Sequence, residues 1–218
     1  KDNWLNPEDV FSDDGKNFSI KNKPSEKVTV GPSESMSKSK KNTIDPEKMI
    51  ESYGADAVRL FILSDSPPEK DIQWSETGMT SAYKFIQKFA MMSQSIIEII
   101  NSKPEQSTDN ELEIFTNQSI EKINTALEKF RYNVIIAVFH DIFNYYNKLS
   151  ENKNNHKNLK GNFKKILVVM SPVIPHLANE CLSSITSDNF EWPKVKKEFL
   201  ETDEKEIVIQ INGKKRGN

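Results

Sequence analysis

One cysteine, three histidines and seven glycines are scattered through 218 residues, and each scarcity excludes something. The single thiol, Cys181, cannot form an internal disulfide, and it lies on an apolar stripe, which suits a core role in a reducing compartment. No apolar run approaches the roughly 20 residues needed to span a bilayer. The N-terminal "KDNWLNPEDV" is polar and has no signal-peptide core, so a cytoplasmic, non-membrane setting is the expectation. Neither charge dominates: 30 Lys and Arg face 32 Asp and Glu, a net charge of −2, so the bulk balance does not mark a polyanion binder. What is present is a globular composition, 36% hydrophobic and 28% charged, at a length that suits one larger or two small domains. The first residue is not methionine, and "EIVIQINGKKRGN" begins an alternating strand pattern and stops, so the chain is expected to belong to something longer.

Charge is clustered locally. Basic residues gather at Lys38–Lys41, along Lys153, Lys157, Lys160, Lys164 and Lys165, and at Lys214, Lys215 and Arg216. Residues 1–34 are poor in apolar side chains and rich in turn formers, with "KVTV" (Lys27 to Val30) as the best strand candidate. Asp45 offers an N-cap carboxylate, Pro46 suits the first helical position and Glu47 complements the helix N-terminus, predicting a helix to about Tyr53. Gly54 stops it. "ADAVRLFIL" restarts a helix with Ala57, Leu60 and Phe61 facing inward, until Pro67-Pro68 breaks it.

From Thr77 the periodicity is helical. Ala82, Phe85, Phe89, Met92, Ile96 and Ile99 fall on one face of a helix of about five or six turns. Leu112, Phe115, Ile120, Ile123, Leu127 and Phe130 predict a second helix, and Ile135, Phe139, Ile142, Tyr146 and Leu149 a third after a join near Arg131. The fourth carries Leu167, Met170, Ile174, Leu177 and Cys181, kinked or interrupted by Pro172 and Pro175. Four such stripes bury one another in a bundle. "SENKNNHKNLKG" (Ser150 to Gly161) reads as an exposed connector.

The loop "SESMSKSKKN" (Ser33 to Asn42) poses the chemical question. It is not a Walker loop, because the glycines that let backbone amides wrap phosphates are absent around Lys38. Lysine ammoniums beside the Ser37 and Ser39 hydroxyls still suit a polyphosphate whose charge grows as a bond breaks. The competing reading is a solvated loop. The wider stretch "MSKSKKNTIDPEKMIESYGADAVRLFIL" (Met36 to Leu63) resembles the second signature of class I aminoacyl-tRNA synthetases, a Lys-Met-Ser-Lys-Ser loop followed by N-x-x-D-P and Y-G-A-D-x-x-R-L. "SPPEKDIQWSETGMTSAYKFIQKF" (Ser66 to Phe89) is similar to the leucyl members, as are "FRYNVIIAVFHDIFNYYNKL", "VVMSPVIPHLANECL" followed by Trp192-Pro193, and "VIQINGKKRG". "WLNPEDV" resembles the start of the small leucine-specific insertion of many bacterial leucyl enzymes. The resemblance covers nearly the whole chain.

It implies a mainly α chain: a leucine-specific-insertion-like region (1–34), a small α/β remnant of the Rossmann catalytic domain with the signature loop (35–76), an anticodon-binding-type helical bundle (77–200) and the first strand of a C-terminal domain (201–218). It also implies a parent enzyme, monomeric and cytoplasmic, that joins leucine to tRNA(Leu) with ATP and Mg2+; the upstream half of the catalytic domain is absent, so this segment alone is expected to be inactive. Lys38, matching the motif's second lysine, is the expected catalytic group, stabilising the departing pyrophosphate, and Met36, Ser37, Lys38, Ser39 and Lys40 form the expected ATP contact, with Met36 packing on the scaffold. The motif's first lysine is Ser35 here, so one of the two cationic contacts is either missing or supplied by Lys40 or Lys41 from the other side. Arg131, Lys157, Lys160, Lys164 and Lys165 are the candidate tRNA phosphate contacts, the alternative being solvated connector charges. The other functional readings are a valyl/isoleucyl-type synthetase and a stand-alone helical tRNA-binding module. Asp56 and Arg59, three apart, read as a helix-surface pair, His140 and His176 as structural, no residue as a metal ligand, and Phe143, Tyr145 and Tyr146 as packing residues.

Overall fold

The computed structural model describes residues 4–64, 67–105, 110–153, 155–187 and 189–200, and the backbone alone of 209–211 and 214–217. The first segment is a three-stranded antiparallel sheet, β1 (Val10–Phe11), β2 (Phe18–Ile20) and β3 (Lys23–Val28), in the order β1-β2-β3. The strand expected at Lys27–Val30 starts earlier, at Lys23, because its register is set by pairing Phe18 with Val28 and Ser19 with Lys27 across a tight turn. In the β1–β2 connection Asp14 accepts from the backbone N–H groups of Asn17 and Lys16 and from the Asn17 side chain, and these bonds hold its carboxyl down at about 2.

Helix α1 (Pro46–Tyr53) begins as the sequence predicts, with the Asp45 carboxylate accepting from the Glu47 N–H at 3.0 Å. Gly54, at φ 80°, ends it and turns the chain into α2 (Ala55–Ser64), where Ala57, Leu60 and Phe61 are buried as expected. Helix α3 (Glu76–Ser102) is longer than its apolar stripe suggested, because Ser75 caps it by accepting from the Gly78 N–H. All six residues of its predicted stripe are buried.

α4 (Glu111–Glu128) and α5 (Tyr132–Asn152) follow, and the predicted fourth helix is two: α6 (Leu159–Met170) and α7 (Pro175–Ile185). Proline explains the break, since Pro172 sits in the corner and Pro175 opens α7 at a position whose N–H has no helical partner. Helices α3 to α7 form the bundle, and α2 packs on α3, α5 and α7, so the segment carrying the signature motif is seated on the bundle itself. The core is continuous across this join, with Leu60 and Phe61 in one cluster with Phe89, Phe139, Tyr146 and Phe163.

Two expectations need correction. Phe130 is not on the α4 stripe: α4 ends at Glu128, and Phe130 takes a left-handed backbone, φ 52°, and is 61% exposed. The connector 150–161 is not merely a solvated loop, for α5 runs to Asn152, α6 starts at Leu159, and Asn155, 5% exposed, donates to the Lys103 carbonyl at 2.6 Å. Beyond residue 200, β4 (Ile209–Ile211) and β5 (Lys214–Gly217) pair antiparallel; the strand expected from residue 201 lies otherwise outside the described residues.

Gly78 shows how closely α2 meets α3. A Cβ there would sit 2.7 Å from Cε2 of Phe61, whose ring is itself held edge-on by Trp74 at 5.3 Å. Alanine is the better helix former by about 1 kcal/mol, but overpacking costs roughly 1–3 kcal/mol. Gly78→Ala is therefore expected to lower stability in urea denaturation, and Phe61→Leu in the same chain to recover part of the loss; a stabilised Gly78→Ala would mean that this contact is loose.

Candidate functional site

The signature loop is built on Asn42. Its Oδ1 accepts from the Ser37 N–H at 2.7 Å and its Nδ2 donates to the Ser35 carbonyl at 3.4 Å, closing the loop at its base. Within it, Lys38–Lys40 form one 3-10 turn: Ser37 caps it by accepting from the Lys40 N–H, the Lys41 N–H donates to the Lys38 carbonyl at 3.2 Å, and Lys41 ends it in the left-handed region. The Ser37 and Ser39 hydroxyls lie 3.2 Å apart.

The lysines of this turn are not equivalent. Lys40 forms an ion pair with Glu34 and lies 6.0 Å from the Trp4 ring centroid. Lys38 and Lys41 are exposed, and neither has an ion pair among the described residues. Met36, expected on the scaffold, is 48% exposed in this chain. The turn thus presents, beside two hydroxyls, two ammonium groups without an ion pair among the described residues, a chemistry compatible with a polyanion. Lys48–Glu8 at 3.2 Å and Gln73–Ser33 at 2.9 Å tie the segment to its flanks.

Asp56 and Arg59 overturn the reading as a local surface pair. Asp56 is 6% exposed and reaches across 120 positions to the N-terminus of α7, accepting from the His176 N–H at 3.2 Å, the Leu177 N–H at 2.8 Å and contacting His176 Nδ1 at 2.8 Å. Arg59 Nε donates to the Val173 carbonyl at 3.0 Å and Nη2 to the Pro172 carbonyl at 2.6 Å. A carboxylate meets the positive end of α7, complementing its helix dipole, and a guanidinium meets two carbonyls of the turn that follows α6. The sequence contains both partners, "GADAVRL" and "SPVIPHL", but spacing within one helix could not join them. Burial of Leu60 and Phe61 supplies roughly 1.5–3 kcal/mol each, so apolar packing holds α2 to the bundle and the two charged residues set its register.

The basic residues singled out along the bundle do not gather on one face. Arg131 stands at the start of α5 and Lys157 beyond its end, about 30 Å apart at 1.5 Å per residue over the 21 residues of that helix. Lys157 and Lys160 are exposed, Lys164 lines a groove with Phe190, Trp192 and Pro193, and Lys165 pairs with Glu113 at 3.6 Å. The Trp192-Pro193 segment is pinned to α4 by Trp192 Nε1 donating to Asn124 Oδ1 at 2.9 Å and the Lys196 N–H to buried Asn117 Oδ1 at 2.8 Å. A larger groove, about 850 Å³ between α3 and α7, is lined by Met91, Ile97, Leu177 and Cys181; burial pushes the Cys181 thiol up, which makes it unreactive. His140 rests on Phe85 at 4.5 Å, and Tyr145 stacks on Phe115 at 3.9 Å, so these act in packing. Among the described residues no group of three His, Cys, Asp or Glu gathers, and no helix is long and apolar enough to cross a membrane.

A helical bundle carries, through α2, a segment with a lysine-bearing loop. The family description "Anticodon-binding domain of tRNA ligase" matches residues 109–218, and the chain belongs to that family; "tRNA synthetases class I (I, L, M and V)" matches residues 28–75. It is 36% identical over 219 residues to the leucine–tRNA ligase of Rickettsia bellii and 35% identical over 229 residues to that of Bartonella quintana, in each case covering 98% of this chain and 26% of the relative. The leucine–tRNA ligase of Zymomonas mobilis is 34% identical over 217 residues, 98% of this chain and 24% of the relative. The chain thus spans about a quarter of the length of these curated relatives. A solved ternary complex of the Agrobacterium radiobacter K84 agnB2 LeuRS with tRNA and LeuAMS shares the fold, with a TM-score of 0.68 at 22% identity over 84% of this chain and 25% of that one.

Asp56→Ala leaves two amides of α7 without their acceptor and is expected to cost about 2 kcal/mol, the upper end for a lost cap. Arg59→Ala should cost about 1 kcal/mol. Because both hold one corner, the double variant should depart from the sum by more than about 0.5 kcal/mol in urea denaturation, and strict additivity would show that they act separately.

Proposed function

We propose that the parent protein is a leucine–tRNA ligase, which activates leucine with ATP, releasing pyrophosphate, and passes the leucyl group to tRNA(Leu). The single observation carrying this reading is the similarity to leucine–tRNA ligases over 98% of the chain, signature loop included. On this reading the protein acts in the cytoplasm as a monomer, and a lone buried thiol suits a reducing compartment.

The loop's part is electrostatic. As the leucine carboxylate attacks the α-phosphate, charge builds on the departing pyrophosphate, and the exposed Lys38 ammonium stabilises it in the transition state. Ser37 and Ser39 shape the turn and offer hydroxyls to the phosphates, and Met36 and Lys40 flank them. Since Lys40 is engaged by Glu34, Lys41 is the better substitute for the cation missing at Ser35. The loop closes over ATP about its Asn42 base. Mg2+ accompanying ATP would neutralise part of the charge of its phosphates. Arg131 at one end of the bundle, Lys157 and Lys160 at the other, and Lys164 and Lys165 further along α6 contact tRNA phosphates, positioning it without reading its sequence.

In the full-length protein, Lys38→Ala is expected to lower leucine-dependent pyrophosphate exchange by at least about tenfold, since losing one such transition-state contact costs roughly 100–1,000-fold. Exchange at the unsubstituted rate would remove Lys38 from this role, and exchange driven by valine or isoleucine instead of leucine in the unsubstituted protein would overturn the substrate assignment.

A further inference from the structure

The α4–α5 turn carries a feature that neither the signature loop nor the bundle core explains. α4 closes with the Arg131 N–H donating to the Ala126 carbonyl at 2.8 Å and the Phe130 N–H to the Leu127 carbonyl at 3.0 Å. This places Phe130 at the left-handed position of the helix C-cap, φ 52°, where glycine is favoured because a Cβ is disfavoured there. An aromatic ring at this position is strained by its backbone, and no apolar burial compensates, since Phe130 is 61% exposed. Its ring meets Tyr132 edge-on, 6.3 Å between centroids at 78°, which supports one side and leaves the rest open. Lys129 and Arg131 flank it, both exposed and without an ion pair among the described residues; the acid nearest in sequence is Glu128.

A strained and exposed aromatic between two uncommitted cations has the chemistry of an unpaired nucleotide contact: a π-face for a base and two charges for the adjoining phosphates. The tip also lies at the end of the bundle that carries α2, because Ile136, one turn into α5, shares a cleft with Leu60 and Phe61. We propose that Phe130 is a stacking platform for an unpaired base of the tRNA, with Lys129 and Arg131 clamping the neighbouring phosphates. This rests on the reading of the bundle as tRNA-binding and deepens it, adding a base contact where only phosphate contacts were assigned. A protein segment covering the same tip is the competing occupant; the uncommitted cations favour RNA.

The test is binding of an unmodified tRNA(Leu) transcript to the 218-residue chain, followed by fluorescence anisotropy across a salt series. Phe130→Gly removes the ring while suiting the backbone, and is expected to weaken binding by roughly 5- to 150-fold with the salt slope unchanged. Phe130→Tyr should restore affinity, and Arg131→Gln should reduce the salt slope by about one. An unfolding midpoint of Phe130→Gly equal to or above that of the unsubstituted chain, alongside weakened binding, supports a binding role. Equal affinity of Phe130→Gly and the unsubstituted chain overturns the stacking platform and leaves phosphate binding standing. Failure of the unsubstituted chain to bind the transcript overturns tRNA binding by the bundle, and the platform with it.

Discussion

Apolar packing of α2 on α3, α5 and α7 holds the loop segment to the bundle, and one corner, the turn between α6 and α7, which Asp56 and Arg59 grip from α2, sets its register. The turn is hard to build: two prolines remove donors, and two helix ends leave carbonyls and amides unpaired within a few residues. Asp56 takes the amides and Arg59 the carbonyls, so polar groups that would be costly to leave unpaired become a docking surface with a single register. Hydrophobic burial of Leu60 and Phe61 could be satisfied by many small shifts of α2, whereas the amides that open α7 and the carbonyls of the turn before it accept these two side chains in one arrangement.

That register reaches the loop. α2 follows α1 after the Gly54 turn, α1 starts four residues after Asn42, and Asn42 ties the base of the loop to itself, so a short stretch of chain leads from the bundle to the base of the loop that carries Lys38 and Lys41. The loop's own lysines are divided in function by geometry: Glu34 engages Lys40, while the other two remain available. On the proposed reading, in which the bundle orients tRNA and the loop polyphosphate, one reaction uses both, and the α6–α7 corner sets the register of the α2 that links them within this chain.

Most of the helical architecture was legible from periodicity, because stripes such as Phe85–Phe89–Met92–Ile96 and Ile135–Phe139–Ile142–Tyr146 have few alternatives to a helix face. The signature loop was legible as a motif, its internal structure less so: nothing in the spelling says that Lys40 meets Glu34 or that Asn42 closes the loop. The failures share a cause. Asp56 and Arg59 looked like an i, i+3 pair because their partners lie over 110 positions away, and Asn155 looked solvated because its acceptor, the Lys103 carbonyl, lies 52 positions away. Phe130 continued the apolar spacing of α4 past the helix end, and a C-cap filled by an aromatic instead of glycine gave no stop signal.

The account stands most directly on whether α2 and α7 open together. Native-state hydrogen exchange on the whole chain measures this: amides of α2, such as Leu60 and Phe61, and of the first turns of α7, such as Ala178, should exchange with one shared opening free energy. Opening of α1 and α2 at a clearly lower free energy, with α7 still protected, would contradict the claim that the α6–α7 corner makes the loop segment and the bundle one cooperative unit.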